Sequence, residues 1–120
     1  MPTQKDSLQD RLSRYRQIKI SVVGRKSGNT MSLPVWFVLD GQRLYLLPVR
    51  GSDTQWYKNV RKTRSIGIDA RGVAAEFRAT PVTGAKAVSS VLGMFKEKYG
   101  AKDVKKYYAK FDAAIRIELG

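Results

Sequence analysis

Along the first half of the chain, apolar and polar positions alternate with a period of two. Ile18, Ile20 and Val22 are separated by Lys19 and Ser21, the pattern of a strand with one buried face. A second apolar run spans 31–39, and a third spans 43–49. Asp40-Gly41 between them is a tight hairpin signal. Further on, 65–70 and 73–81 read as another hairpin around Arg71-Gly72, where Val73, Ala75, Phe77 and Ala79 alternate with Ala74, Glu76 and Arg78. A closing strand carries Ala113, Ile115, Ile117 and Leu119 inward, with Arg116 and Glu118 outward. Helical spacing appears in four places. Leu8, Leu12 and Tyr15 predict a short amphipathic helix over 7–16. Ser52-Asp53 are placed to cap a helix running to about Lys62, with Trp56 and Val60 on one side and Tyr57 beside them. Val88, Val91, Leu92, Phe95 and Tyr99 mark a helix ending near Gly100, and Val104, Tyr107, Tyr108 and Phe111 mark a shorter one.

About six strands with helices between them predict a mainly β, α+β fold: an antiparallel barrel or sandwich closed by the C-terminal strand. At 120 residues one core is expected, so residues 1–120 are read as a single domain. The chain carries no internal repeat, low-complexity tract or linker. No apolar run approaches the roughly 20 residues of a membrane span, and the N-terminus leads into no signal-peptide core, which implies a cytoplasmic protein.

The chain has no cysteine and no histidine. That removes thiol nucleophiles, the Ser-His-Asp triad, the usual structural zinc ligands and a proximal-histidine haem. An enzyme of this composition is expected to leave the hard chemistry to a cofactor. Lys and Arg total 23 against 10 Asp and Glu, a formal net charge of +13, so the preferred partner is an anion. Nucleic acid, an anionic membrane surface met peripherally and a phosphate-bearing cofactor all qualify.

One connection concentrates this chemistry. Gly24-Arg25-Lys26-Ser27-Gly28 joins the first two strands and sets two cations and a hydroxyl between glycines. Glycine permits φ > 0, which lets successive amides converge on one anion, and Gly28 and Asn29 are candidate backbone donors. The alternative is a solvated basic hairpin. Downstream, Pro34-Val35-Trp36 lies in the second apolar run, Pro48-Val49-Arg50-Gly51 ends the third, and Trp56-Tyr57-Lys58-Asn59 follows.

Taken together, the Gly-Arg-Lys-Ser-Gly turn, the Pro-apolar-aromatic strand, the strand ending in Arg-Gly and the Trp-Tyr-x-Asn helix resemble the deazaflavin-dependent nitroreductase family, over about residues 18–82. The resemblance implies a six-stranded antiparallel split β-barrel of the FMN-binding type, and an oxidoreductase. Its hydride would come from reduced coenzyme F420 and pass to a quinone, a nitroaromatic or another planar acceptor. It further implies that Arg25, Lys26, Ser27 and Gly28 hold the cofactor phosphate and adjoining tail. Pro34, Val35 and Trp36 would line the pocket, Pro48, Val49 and Arg50 would lie near the ring, and Trp56, Tyr57 and Asn59 would border the cofactor. No catalytic side chain and no metal is expected. Trp36 reads equally as core, and Asn59 as a buried hydrogen bond tying helix to strand.

The chain departs from the pattern in three ways. Met31 stands where the family commonly has arginine, and Thr63-Arg64 where it has Asn-Pro. The lid tyrosine aligns near Lys102, with Tyr107 or Tyr108 as substitutes by position. Two other readings stay open: an FMN-binding split-barrel protein, and a basic nucleic-acid-binding β-barrel that stacks bases on Tyr45 or Tyr107. A specific nucleic-acid partner is not expected, and the chain is read as monomer or homodimer.

Overall fold

The computed structural model describes Leu12, residues 15–70 and residues 72–119. Six antiparallel strands form a closed barrel in the order β1-β2-β3-β6-β5-β4. They are β1 Gln17–Val23, β2 Thr30–Asp40, β3 Arg43–Leu46, β4 Ser65–Ala70, β5 Val73–Val82 and β6 Ala114–Glu118. Three helices are described: α1 Gln55–Thr63, α2 Ala85–Tyr99 and α3 Ala101–Tyr107. None of the described helices is long and apolar enough to cross a membrane.

The split lies in the registers of the two long strands. Residues 30–36 of β2 pair with β1, and 37–40 pair with β3. Residues 73–78 of β5 likewise pair with β4, and 79–82 with β6. Each long strand therefore leaves one sheet and enters the other at a single step, which curls the two sheets into one barrel.

The alternating apolar positions turn inward as their period requires: Ile18, Ile20 and Val22 meet Leu44, Leu46, Ile66, Ile68, Ile115 and Ile117 inside the barrel. Helix α1 adds Trp56, Tyr57 and Val60 to this cluster. A second cluster lies on the other face of β2, β3 and β6, where Val38 and Ala114, with Leu47 just past β3, are covered by Val91, Phe95 and Tyr99 of α2, by Val104 of α3 and by Tyr108.

At the seam between sheets the β1–β2 ladder ends at Gln17 and Trp36. One step beyond, the Tyr99 hydroxyl takes the place of the missing strand. It accepts a hydrogen bond from the Phe37 N–H (3.0 Å) and donates toward the Arg16 carbonyl (2.6 Å), with the Phe37 carbonyl at 2.7 Å. Lys98 Nζ donates to the same Phe37 carbonyl at 2.9 Å. Backbone groups stranded inside a fold are costly unless paired, and here α2 supplies the pairs.

Several boundaries differ from the sequence reading. The third strand stops at Leu46 rather than Val49, because Pro48 has no N–H for a ladder and its carbonyl instead accepts from Gly51 N–H (3.1 Å) in a tight turn. Gly51 adopts φ 55°, and a Cβ there would collide with the Asp112 carboxylate. Ser52 and Asp53 do not cap α1. They belong to a 3-10 turn, where Asp112 accepts from Ser52 N–H (2.8 Å) and Ser52 Oγ (2.6 Å), and the helix begins after Thr54. Helix α3 ends at Tyr107, with Tyr108 already extended, so Phe111 lies outside it. The N-terminal helix expected over 7–16 falls outside the described residues apart from Leu12, Tyr15 and Arg16; Leu12 is helical and buried in the barrel cluster.

Candidate functional site

The β1–β2 turn packs against α1 through Arg25. Its Nη1 donates to Asn59 Oδ1 (2.8 Å) and its Nη2 to Gln55 Oε1 (3.0 Å), while its own backbone N–H also reaches Asn59 Oδ1 (3.1 Å). Lys62 Nζ donates to the Arg25 carbonyl at 3.3 Å. Asn59 is only 2% exposed, a buried amide whose oxygen is saturated by one arginine. The buried hydrogen bond expected of Asn59 runs from α1 to the β1–β2 turn rather than to a strand, with Arg25 at its other end. The amides of Gly28 and Asn29 are engaged inside the turn, donating to the Gly24 carbonyl (3.0 Å) and Ser27 Oγ (3.1 Å). They do not serve as free donors. Lys26 and Ser27 remain exposed on a groove of about 290 Å³ that Gly24, Met31, Gln55 and Asn59 complete.

The first turn of α1 borders the same groove and contains no acidic residue. Its N-cap, Thr54, makes no capping bond, because its hydroxyl accepts from the Arg50 N–H at 2.8 Å. The leading amides of α1 are therefore left to solvent or to an anion.

A cleft of about 490 Å³ lies alongside. Groove and cleft run along the same two elements: Met31 and Leu33 are neighbours on one face of β2, and Gln55 and Trp56 are consecutive on α1. The walls of the cleft are mostly apolar. Pro34, Val35 and Trp36 come from β2, Val49 from the segment after β3, Trp56 from α1, and Tyr107 and Tyr108 from the end of α3. Trp36 does two jobs. It stacks on Tyr99 (4.2 Å between centroids, 7° between planes), meets Tyr107 edge-on at 5.4 Å and Tyr108 at 6.0 Å, and still presents surface to the cleft.

The structure brings together Arg25, Lys26 and Ser27 at the groove and Pro34, Val35, Trp36, Val49 and Trp56 at the cleft, with Asn59 behind the groove. Gly28 supplies the left-handed corner of the turn, at φ 73°. The others lie apart. Tyr57 is buried in the barrel cluster, Pro48 is buried in its turn, and exposed Arg50 lies beside Lys110 in a single parallel bridge. Sequence reasoning missed Gln17, Thr54 and Gln55. Nothing local marks them: threonine is a favoured N-cap residue, and that the Thr54 hydroxyl serves the Arg50 N–H instead is visible only in the structure. Of the two proposed lid tyrosines, both reach the cleft.

Burial governs titration around the second cluster. It pushes the Tyr99 hydroxyl up to about 12 and raises Tyr108 further, so both stay neutral. Lys98 moves the other way, to about 8, because burial and then the nearby charge of Arg16 disfavour its ammonium form.

The fold is a split β-barrel, with a candidate site between β2 and the start of α1. The chain belongs to the family described as "Uncharacterized protein conserved in bacteria" (DUF2255), which matches residues 9–117. No curated protein matches it. Among solved structures, it is similar to an F420-H2 dependent reductase (16% identity, TM-score 0.66, covering 86% of this chain and 94% of the other). It is also similar to HutZ, a haem storage protein from Vibrio cholerae (11% identity, TM-score 0.71, 98% and 90%). A third is a chain solved as a domain-swapped dimer (14% identity, TM-score 0.67, 97% and 100%). At these identities the likeness is one of fold.

Proposed function

We propose that this protein is a deazaflavin-dependent reductase that binds reduced coenzyme F420 and reduces a planar acceptor such as a quinone or nitroaromatic. The observation that carries the reading is an aromatic cleft and a basic groove set along the same two elements, β2 and the acid-free start of α1. Such a pair suits a ligand with a flat ring at one end and a phosphate at the other. The residues fit: about 490 Å³ lies within the size range of small-molecule sites. Lys26, the Ser27 hydroxyl and the leading amides of α1 hold the anionic end. Arg25 contributes its remaining N–H groups while anchored to α1, so it acts chiefly by fixing the turn.

Trp36, Val49 and Tyr107 flank the ring site, exclude water and limit the acceptor to flat molecules. When bound, the cofactor supplies the hydride, and the chain's task is to hold the acceptor within reach of it. The resemblance in the turn, strand and helix motifs supports F420 over FMN. One structural neighbour is itself described as an F420-H2 dependent reductase. A haem-binding role is less well served, since the chain lacks the commoner axial ligands histidine and cysteine. The base-stacking reading draws little from Tyr45, which is half-buried against the second cluster. A homodimer remains compatible with this site.

Fluorescence titration of the cofactor-free protein with F420 and with FMN tests the reading. F420 binding tighter than FMN, with turnover of a quinone by the reduced form, is expected. Equal or tighter FMN binding overturns it.

A further inference from the structure

Met31 supplies the single apolar side chain among the residues that line the basic groove. It pairs with Val22 across the β1–β2 ladder and is 44% exposed. A carbon placed on Gly24 would stand 3.8 Å from the Met31 methyl and 2.7 Å from Ser27 Oγ. The thioether therefore ends over that glycine, on the side of the Ser27 hydroxyl. Ser27 Oγ accepts from the Asn29 N–H, which leaves its own proton for a ligand, and Lys26 is exposed next to it in the chain. Met94, by contrast, is half-buried on α2 against the second cluster and lines neither groove nor cleft.

The oxidation state of one sulfur then sets what this wall offers an anion. A thioether is polarisable and a weak acceptor, so it leaves the donors of Lys26, Ser27 and the leading amides of α1 to the ligand. A sulfoxide is polar, and its oxygen accepts hydrogen bonds. Over Gly24 that oxygen competes for the Ser27 proton, and its partial negative charge opposes an anion in the groove.

We propose that Met31 is a site of reversible oxidation by hydrogen peroxide, and that its sulfoxide weakens the groove's hold on an anion. The sulfur lone pair attacks one peroxide oxygen, the S–O bond forms as the O–O bond breaks, and the other oxygen leaves as water with both protons. The sulfur is oxidised and the peroxide reduced. A methionine sulfoxide reductase with a thiol reverses the step, releasing the oxygen as water while the thiol becomes a disulfide. This deepens the reductase reading by assigning a regulation to its anion site; it rests on the groove holding the anionic end, and not on which ring fills the cleft.

The test treats the full chain, without cofactor, with hydrogen peroxide and follows each methionine by peptide mass mapping. Met31 is expected to gain its oxygen ahead of Met94. Titrations with F420 by fluorescence and with inorganic pyrophosphate by calorimetry are then compared before and after treatment. Affinity is expected to fall at least about fivefold, the scale of one hydrogen bond to a charged group, and to return with reductases for both sulfoxide epimers and dithiothreitol. Met94→Leu is expected to lose affinity on treatment as the parent chain does. Met31→Leu, whatever its starting affinity, is expected to change less than about twofold on treatment. Oxidation of Met94 as fast as Met31, unchanged affinity once Met31 is oxidised, or an equal loss in Met31→Leu overturns the inference. Pyrophosphate binding that responds to Met31 oxidation, with no F420 binding, overturns the reductase reading and supports this inference. Binding of neither anion by the untreated chain overturns both.

Discussion

At the turn, Arg25 reaches Asn59 and Gln55 across 34 and 30 positions of sequence through directed hydrogen bonds. Across the cleft, Trp36 reaches Tyr99 by ring stacking and packs among Tyr107 and Tyr108. The groove thus divides its labour between an anchoring arginine and a free lysine. The cleft places wall and core in one indole. Function and stability should therefore separate at the turn and travel together at the cleft.

The largest test of that contrast is Trp36→Ala. Removing a stacked, partly buried indole should destabilise the fold by about 3 kcal/mol in urea unfolding and abolish detectable ring binding. Stability unchanged within error would show that the indole is only a wall.

At the turn, Arg25→Ala should lower stability by about 1–3 kcal/mol, because it removes the charged donor to the buried Asn59 oxygen and leaves that oxygen only the backbone N–H of residue 25. Lys26→Ala should leave stability within about 0.5 kcal/mol yet weaken F420 binding by about 1–3 kcal/mol, the scale of a charge-assisted hydrogen bond. Calorimetry on the pair would erase the division if both variants lost binding and stability alike.

A smaller effect comes from pH. Lys98 binds its proton less readily folded, at about 8, than unfolded, near the ordinary lysine value of 10.5. Between these values the unfolded chain carries more protons, so stability should rise with pH from about 8 toward 10 and be lowest, as far as this residue goes, below 8. Lys98→Met should remove that rise in a series of urea midpoints. Tyr99, raised to about 12, contributes the opposite slope only above about 10.

Smallest of all, the chemical step in single turnover should change less than about twofold from pH 6 to 7.5, since Lys98 does not line the cleft and the chain has no histidine or cysteine. A steep slope absent from the free reactants would reveal an acid or base in the cleft that the reading lacks.

The barrel was legible because its strands repeat a local rule. Ile18, Ile20 and Val22, and again Ile115 and Ile117, announce their buried faces residue by residue. The turn was legible in composition but not in use. That Arg25 spends itself on Asn59 depends on a partner 34 residues away, which no window around the turn contains. The end of β3 at Leu46 turned on Pro48 and Gly51, both visible, yet the Asp112 carboxylate that fixes Gly51 comes from beyond α3. Tyr107 and Tyr108 read as one face of a helix that in fact stops between them, which is how both come to border the cleft.

The hydroxyl of Tyr99 has a consequence for how this barrel avoids its own kind. Where β1 falls away from β2, the Phe37 peptide would present an open N–H and carbonyl, the template on which a strand from another molecule could add and seed aggregation. The Tyr99 phenol, positioned by α2 and kept neutral by burial, accepts from that N–H, Lys98 Nζ donates to that carbonyl, and the two side chains of α2 together blunt the edge. A protein held apart from its copies by a charge of +13 in dilute salt loses much of that repulsion when salt is plentiful, and this hydrogen-bonded plug goes on guarding the seam.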